Sequence, residues 1–383
     1  MVTPTAFDGC NSGENPLTSS DVPLPATMDA GEDGDRCPLC AGVVAPKGSI
    51  DPRALNRAYK RIYRINVAHL MHDVKEIRFC ECSNCGLRSF CPPIAGDGSF
   101  YAELSAWFDS RFHTDVESNE VAAPPSRRAA SRQIPPVLLH QLNPRSRQEF
   151  ELASSYIQGG MSVLEVGCGK CFFWHSLPTN IRTDIRYVGL ELDLTAAAAG
   201  KARQIDVRTE LIEHHARTAM SQYDVVCFFQ VLEHIVDLRS FLDACVRCLK
   251  PGGRLIFSVP NARSFLGHQP DNILNMPPHH VTWWTEMPIR NLAAELQLQV
   301  ETIVEDDLTP FFGRDFVKVL AMNYLRRLFK VRPQFELEGY SYLARRHVAA
   351  LVSRLLAPCM TGIGSAARGH SITAVLQKLE LAS

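Results

Sequence analysis

The sequence predicts an α/β protein, a mostly parallel sheet with helices on both faces, preceded by a small cysteine-bearing unit. Three observations carry that expectation. From residue 161 onward, short apolar runs alternate with stretches of helical spacing, the pattern of a parallel sheet held between two helical layers. The first run, Ser162-Val163-Leu164-Glu165-Val166, breaks into the glycine turn Gly167-Cys168-Gly169 and becomes apolar again at Phe172-Phe173. Upstream, Cys37-Pro38-Leu39-Cys40 and Cys82-Ser83-Asn84-Cys85 form two Cys-x-x-Cys knuckles.

Composition bounds the reading. The 383 residues allow one large domain and a smaller one. A hydrophobic fraction of 46% and a charged fraction of 21% are those of a soluble globular chain. The net charge of -1 gives no global pull toward nucleic acid or anionic membrane. No stretch approaches the roughly 20 apolar residues of a membrane span, and no secretory signal is evident. A cytoplasmic protein is therefore expected, its 13 cysteines reduced or ligating metal.

In chain order, residues 1–36 read as a polar, disordered leader. Residues 37–95 read as a zinc-ribbon-like unit. Each knuckle sets two thiolates on one turn, so Cys37, Cys40, Cys82 and Cys85 are the ligand set for a structural zinc. Cys80, Cys91, His69 and His72 are spare. Residues 96–150 hold a short amphipathic helix near Phe100–Phe108, a polar linker over 114–136 and a helix starting near Arg145. The core, 151–306, has strands at Val163–Val166, Tyr187–Leu190, Asp224–Phe229, Arg254–Val259 and Val300–Val304. A helix with Leu238, Phe241, Leu242, Cys245 and Leu249 on one face precedes the stop Lys250-Pro251-Gly252-Gly253. Residues 307–383 form a helical insertion, with basic and apolar residues mixed over 311–357, and a last strand at Ser371–Leu376. Those basic helices are expected to cap the fold with a solvated face; a dimer contact, an acceptor cover or a peripheral membrane contact are the alternatives.

A glycine turn after a strand is shared by many nucleotide-binding folds. The acids narrow it. Glu165 sits two residues before the turn, where it would meet a ligand ammonium, and Glu191 ends the second strand, where it would accept from ribose hydroxyls. An amino-acid end and a ribose, without a pyrophosphate, point to S-adenosylmethionine. Four segments in order then resemble the class I S-adenosylmethionine-dependent methyltransferases. They are Val163–Gly169, Gly189–Asp193, Tyr223–Val226 with Phe229–His234, and Leu249–Leu255. The Cys pairs and Pro277-Pro278-His279-His280-Val281-Thr282-Trp283-Trp284 resemble a subgroup with an N-terminal zinc-binding segment that acts on sugars or natural products.

The resemblance implies a Rossmann-like, mostly parallel seven-stranded sheet and an enzyme that methylates a small-molecule or sugar-linked acceptor, on oxygen by preference. It implies that Gly167, Cys168 and Gly169 line the methionine portion of the cofactor, that Glu191 holds its ribose and Leu192 its adenine, that Glu213 adds an adenine contact, and that Gln230 and Val231 close over it. Cys171 departs from the pattern, which has a third glycine there; its side chain is expected either to crowd the turn or to be small enough to fit. His234, His279 and His280 are the candidate bases, the last two beside Trp283 and Trp284 in an aromatic acceptor pocket; in quinone-pathway relatives the segment ending in His234 has acids at both ends and binds a divalent ion, but here its first acid is Gln230. A protein or RNA methyltransferase and a non-catalytic cofactor-binding protein are the rival readings. The sequence leaves the oligomeric state open.

Overall fold

The structure is a computed structural model that describes residues 36–112, 147–309, 312–331, 335–357 and 367–380. The leader expected over 1–36, except Arg36, and the linker expected over 114–136 lie outside the described residues.

The N-terminal unit is a small antiparallel sheet with helices. Strand β1, Val44–Ile50, pairs with β2, Ile77–Cys82, which pairs with β3, Arg88–Cys91. The helix Pro52–Ile62 connects β1 to the rest. Asp51 caps it by accepting the Arg53 N–H, and Pro52 occupies a first-turn position that needs no donor. The helix Gly98–Phe112 follows β3 and packs Phe100 and Leu104 into the same apolar cluster as Tyr59, Phe79 and Phe90.

The core strands are β4 (Ser162–Val166), β5 (Arg186–Leu190), β6 (Val207–Arg208), β7 (Tyr223–Phe229) and β8 (Leu249–Pro260), all mutually parallel. The two-residue β9, Thr282–Trp283, leaves this sheet and pairs with β3, so the N-terminal sheet has order β1-β2-β3-β9. Strand β10 (Leu298–Asp307) and β11 (Arg368–Lys378) complete the main sheet antiparallel to their neighbours. The main sheet has order β10-β11-β8-β7-β4-β5-β6, the expected mostly parallel seven-stranded sheet. Its central strands β4 and β7 and the neighbouring β11 are buried almost end to end, as helices on both faces require. Asp224 ties three strand starts together: it accepts the Ser162 N–H at 2.8 Å and the Lys250 ammonium at 2.7 Å.

The insertion between β10 and β11 is a helical pair, Gly313–Leu328 and Tyr340–Leu356. Here the expectation of a solvated basic face needs correcting in part. Arg326 and Arg345 turn inward to Glu336, and Arg346 to Asp271. What the helices leave exposed is apolar as well as basic, including Leu320, Tyr324, Leu328, Leu351 and Leu355. No helix among the described residues is long and apolar enough to cross a membrane.

Candidate active site

β4 and β7 are adjacent, yet the chain continues from β4 toward β6 and from β7 toward β10, in opposite directions across the sheet. Ligands of open α/β sheets bind in the crevice beyond such strand ends. Gly167 stands there at φ +70°, and a Cβ on it would come within 2.7 Å of Val231 Cγ2. Gly169, at φ +51°, has nothing within 4 Å of where its Cβ would be, so it faces open space. Its N–H donates to Glu191 Oε2 at 2.6 Å, while the Asp193 N–H donates to Oε1 at 2.8 Å. Glu191 thereby fixes the loops after β4 and β5 and retains lone pairs for further donors. Burial raises its carboxyl above the usual range. Leu192 beside it is 48% exposed, an apolar ledge at the open side. Cys168 is buried, its N–H donating to Leu190 O at 3.0 Å, and Glu213 is half-buried on the short helix Ile212–His215.

Glu165 is buried in β4, and the Tyr187 hydroxyl donates to it. Desolvation holds its carboxyl well above the usual carboxylate range, against the lowering effect of Tyr187. Cys171 takes the left-handed conformation at φ 59°, where glycine is the default. Its thiol is fully buried, and Gly200 makes the room: a Cβ there would stand 3.0 Å from Cys171 Sγ. Of the two expectations for Cys171, the fit is therefore the one observed, with the cost confined to the backbone.

Two other expectations change. Gln230 does not fold over the turn; its amide nitrogen lies 3.1–3.3 Å from Glu149 Oε2, Ser258 Oγ and Ser371 Oγ, two of which its hydrogens can serve. Val231 alone packs against Gly167. Trp283 and Trp284 do not line a pocket. Both are buried, their indole N–H groups donating to Asn275 O and Thr282 Oγ1. The aromatic ring beside the histidines is Tyr101, whose hydroxyl lies 3.3 Å from His234 Nδ1.

A residue that sequence reasoning missed is Arg147. Its guanidinium is buried, pairs with Glu149 and lies 4.0 Å from the Phe150 ring centroid. Burial pulls it down to about 10, offset by the nearby Glu165, Asp306 and Glu233. Nothing in the sequence separates it from the many other arginines.

His234, His279 and His280 do come together, with one ring nitrogen of each within 4.8 Å of the others. The chain brings them there through the Val281 N–H, which donates to Glu233 O at 2.8 Å. Burial lowers His234 to about 4 and His279 to about 3, and lowers His280 further. All three are thus neutral at physiological pH.

The four knuckle thiols also converge. Cys37 and Cys85 sulfurs are 3.5 Å apart, Cys40 and Cys82 sulfurs 3.6 Å, and all four lie within 4.8 Å of one another. Zinc–sulfur bonds of about 2.3 Å in a tetrahedron would set sulfurs roughly 3.8 Å apart, so the set fits zinc. The Asn84 and Cys85 N–H groups point at Cys82 Sγ, as turns that hold a thiolate do.

Residues 138–303 match a methyltransferase domain. The match covers the glycine turn, Glu191, Gln230–His234 and the His279–His280 loop. The ubiquinone biosynthesis O-methyltransferase of Klebsiella pneumoniae strain 342 is 34% identical over 129 residues, 32% of this chain and 52% of that protein. The protein of that name from Escherichia coli O157:H7 is 34% identical over 135 residues, with the same two shares of 32% and 52%. The chain thus spans about half the length of the curated relatives it matches. Among solved structures, an Archaeoglobus fulgidus SAM-dependent methyltransferase superposes with a TM-score of 0.39 at 14% identity, over 63% of this chain and 99% of that one. Geranyl diphosphate C-methyltransferase from Streptomyces coelicolor gives 0.40 at 14% identity, over 68% and 86%.

Proposed function

We propose that this chain transfers a methyl group from S-adenosylmethionine to an oxygen of a small-molecule or sugar-linked acceptor. The observation that carries the reading is the placement of Val231. Its side chain packs on Gly167 of the cofactor turn, and its own chain enters the histidine cluster three residues later. In this reading a donor site and an acceptor site meet at one strand end. The methyltransferase-domain match and the relatives named as O-methyltransferases support the same reaction class.

When bound, the cofactor supplies a methyl group on a sulfonium, and the protein's part is alignment and deprotonation. In this reading Glu191 accepts from the ribose hydroxyls, Leu192 and Glu213 border the adenine, and Gly169 leaves the space that the methionine portion fills. Arg147 takes the cofactor carboxylate, and Glu165, braced by Tyr187, faces its ammonium. The histidine cluster, kept neutral by burial, accepts a hydrogen bond from the acceptor hydroxyl and orients its oxygen toward the methyl group. The four-thiolate set, a closed site once loaded, holds the N-terminal unit together. The rival reading of a binding protein without turnover rested on Cys171, and the fit of its thiol against Gly200 weakens that ground.

Cofactor labelled in the methyl group, incubated with enzyme and a metabolite extract, tests the reading. Label is expected in a small organic product, and Glu191→Ala should abolish it. Cofactor binding with no transfer to any fraction would support the non-catalytic rival. Failure to bind the cofactor at all would overturn both.

A further inference from the structure

The glycine turn carries a feature that cofactor binding does not require. Cys168-Gly169-Lys170-Cys171 is itself a Cys-x-x-Cys run, apart from the two knuckles of the N-terminal unit. The Cys171 N–H donates to Cys168 O at 2.8 Å, which closes the four residues into a turn. The Cα atoms at the ends of such a turn lie within roughly 7 Å, and disulfides span about 4.4–6.8 Å. Both thiols are free and buried.

The two thiols face one wall. A Cβ on Gly189 of β5 would stand 2.7 Å from Cys168 Sγ, and one on Gly200 would stand 3.0 Å from Cys171 Sγ. Val207 of β6 borders both glycines: it pairs in register with Gly189, and its Cγ2 is 2.7 Å from where the Gly200 Cβ would be. Each thiol is the other's hydrogen-bond partner. Cys168 lowers the Cys171 thiol, against its burial and with help from Arg203, and Cys171 in turn raises Cys168. Cys171 is thus the better thiolate of the pair, and the thiolate is the reactive form. Its backbone stands at φ 59°, so the turn itself is served better by glycine than by this thiol. Cys168 Sγ lies 4.0 Å from Gly169 O, and Gly169 borders open space. One peptide therefore separates the pair from the crevice, which is the route for a small oxidant.

We propose that Cys168 and Cys171 are a redox-active dithiol, a modification site that a peroxide closes to a disulfide, and that closing it withdraws the turn from the cofactor. Two S–H bonds break and one S–S bond forms. The two electrons and two protons released convert hydrogen peroxide to two waters, and a dithiol reductant reverses the step. Bridging pulls on the peptides between the two sulfurs. It thereby loosens the Gly169 N–H, which donates to Glu191 Oε2 at 2.6 Å and positions the ribose acceptor of the proposed function. The consequence for the cofactor rests on that reading; the bridge does not.

Peptide mapping tests the bridge. The full chain, loaded with Zn²⁺ so that the knuckle thiolates are occupied, is treated with hydrogen peroxide, alkylated and cut with trypsin. Cleavage after Lys170 leaves the two sulfurs on separate peptides, Gln148–Lys170 and Cys171–Arg182, neither of which holds another cysteine. A linked pair that dithiothreitol separates is expected, and S-adenosylmethionine, by filling the crevice, should slow its formation. In calorimetry the oxidised chain should bind S-adenosylmethionine about tenfold more weakly, as the loss of one hydrogen bond to a charged group implies, and dithiothreitol should restore the affinity. Cys171→Gly should bind as wild type does and keep its affinity in peroxide; Cys171→Ser repeats the test with a side chain of like size. Two alkylated peptides and no linked pair overturn the proposal. So does a linked pair with wild-type affinity, or a Cys171→Gly chain that loses as much affinity to peroxide as wild type does. A reduced chain that binds no cofactor defeats the methyl-transfer reading instead, and the linked pair then decides the dithiol alone.

Discussion

Gly167→Ala is the sharpest probe of the crevice. Two costs are set by the geometry. The first is conformational: at φ +70° an L-residue is in the left-handed region, worth about 1–2 kcal/mol. The second is contact: the new Cβ would stand 2.7 Å from Val231 Cγ2, inside van der Waals range, and overpacking of this kind costs about 1–3 kcal/mol. The sum is about 3 kcal/mol, or a fall in Tm of roughly 6–12 °C for a domain of this size. Cofactor affinity, read by calorimetry, should fall at least tenfold, because the same Cβ displaces the turn. Val231→Ala separates the two costs. In a double-mutant cycle it should recover about 1–2 kcal/mol, the contact share, and leave the conformational share in place. Gly167→Ala with wild-type Tm and affinity would refute the reasoning. A cycle with no coupling would show that Val231 does not press on the turn.

Cys171→Gly relieves about 1–2 kcal/mol of left-handed strain but forfeits the packing of a buried thiol and adds chain entropy of similar size. Cofactor affinity should therefore stay within twofold of wild type, and a gain above fivefold in a binding titration would show that the thiol crowds the turn after all. Cys40→Ser should lower Tm and raise the acceptor KM while leaving cofactor affinity within twofold; an equal loss of both in steady-state kinetics would contradict this. Asp306, buried, has its carboxyl raised by desolvation to about 7, against about 3.9 in an unfolded chain. The folded state therefore binds the extra proton between those values, and its stability falls as pH rises through that window. Asp306→Asn should raise Tm at pH 8, less at pH 5 and little below pH 4; a pH-independent difference in a thermal scan would count against it.

What the sequence disclosed follows what each element buries. β4, β5, β7, the second half of β8 and the middle of β11 are buried on both faces, so they stand out as mostly apolar runs. β6 has only two residues and leaves no such trace. β1 is mostly exposed and carries Pro46 and Lys47, features of a protected edge rather than of an apolar run. At the site, Gly167, Gly169 and Glu191 were legible because each has a residue type that its backbone or its partners require. Arg147 was not, since only burial distinguishes it. Trp283 and Trp284 look like pocket residues on the page, yet their rings fill the core. The histidines were nameable singly, but how their rings are turned depends on the partners of their Nδ1 atoms, Leu274 O, Asn275 Oδ1 and His279 O, which no local spacing encodes.

The cysteine set and the histidine cluster are joined by a short mechanical path. Cys82 and Cys85 sit on the turn between β2 and β3, and β3 pairs with β9 at Arg88–Trp283 and Ser89–Thr282. β9 begins two residues after His280, and the Phe90 N–H donates to Val281 O at 3.1 Å between them. The same unit sends Tyr101 onto His234 and ties the Gly96 N–H to Pro278 O at 2.7 Å. The glycine turn is tied to the same unit by the Lys170 ammonium, which donates to Asp109 Oδ1 at 3.0 Å, and is held within the main sheet by Leu190 O and Glu191. A change in the four thiolates therefore reaches the histidine loop through a hairpin and one strand pair, whereas it reaches the glycine turn through the half-exposed Lys170–Asp109 pair. Under the proposed function the N-terminal unit would be part of the acceptor site, and a metal held by the four thiolates would set the position of groups that do the chemistry.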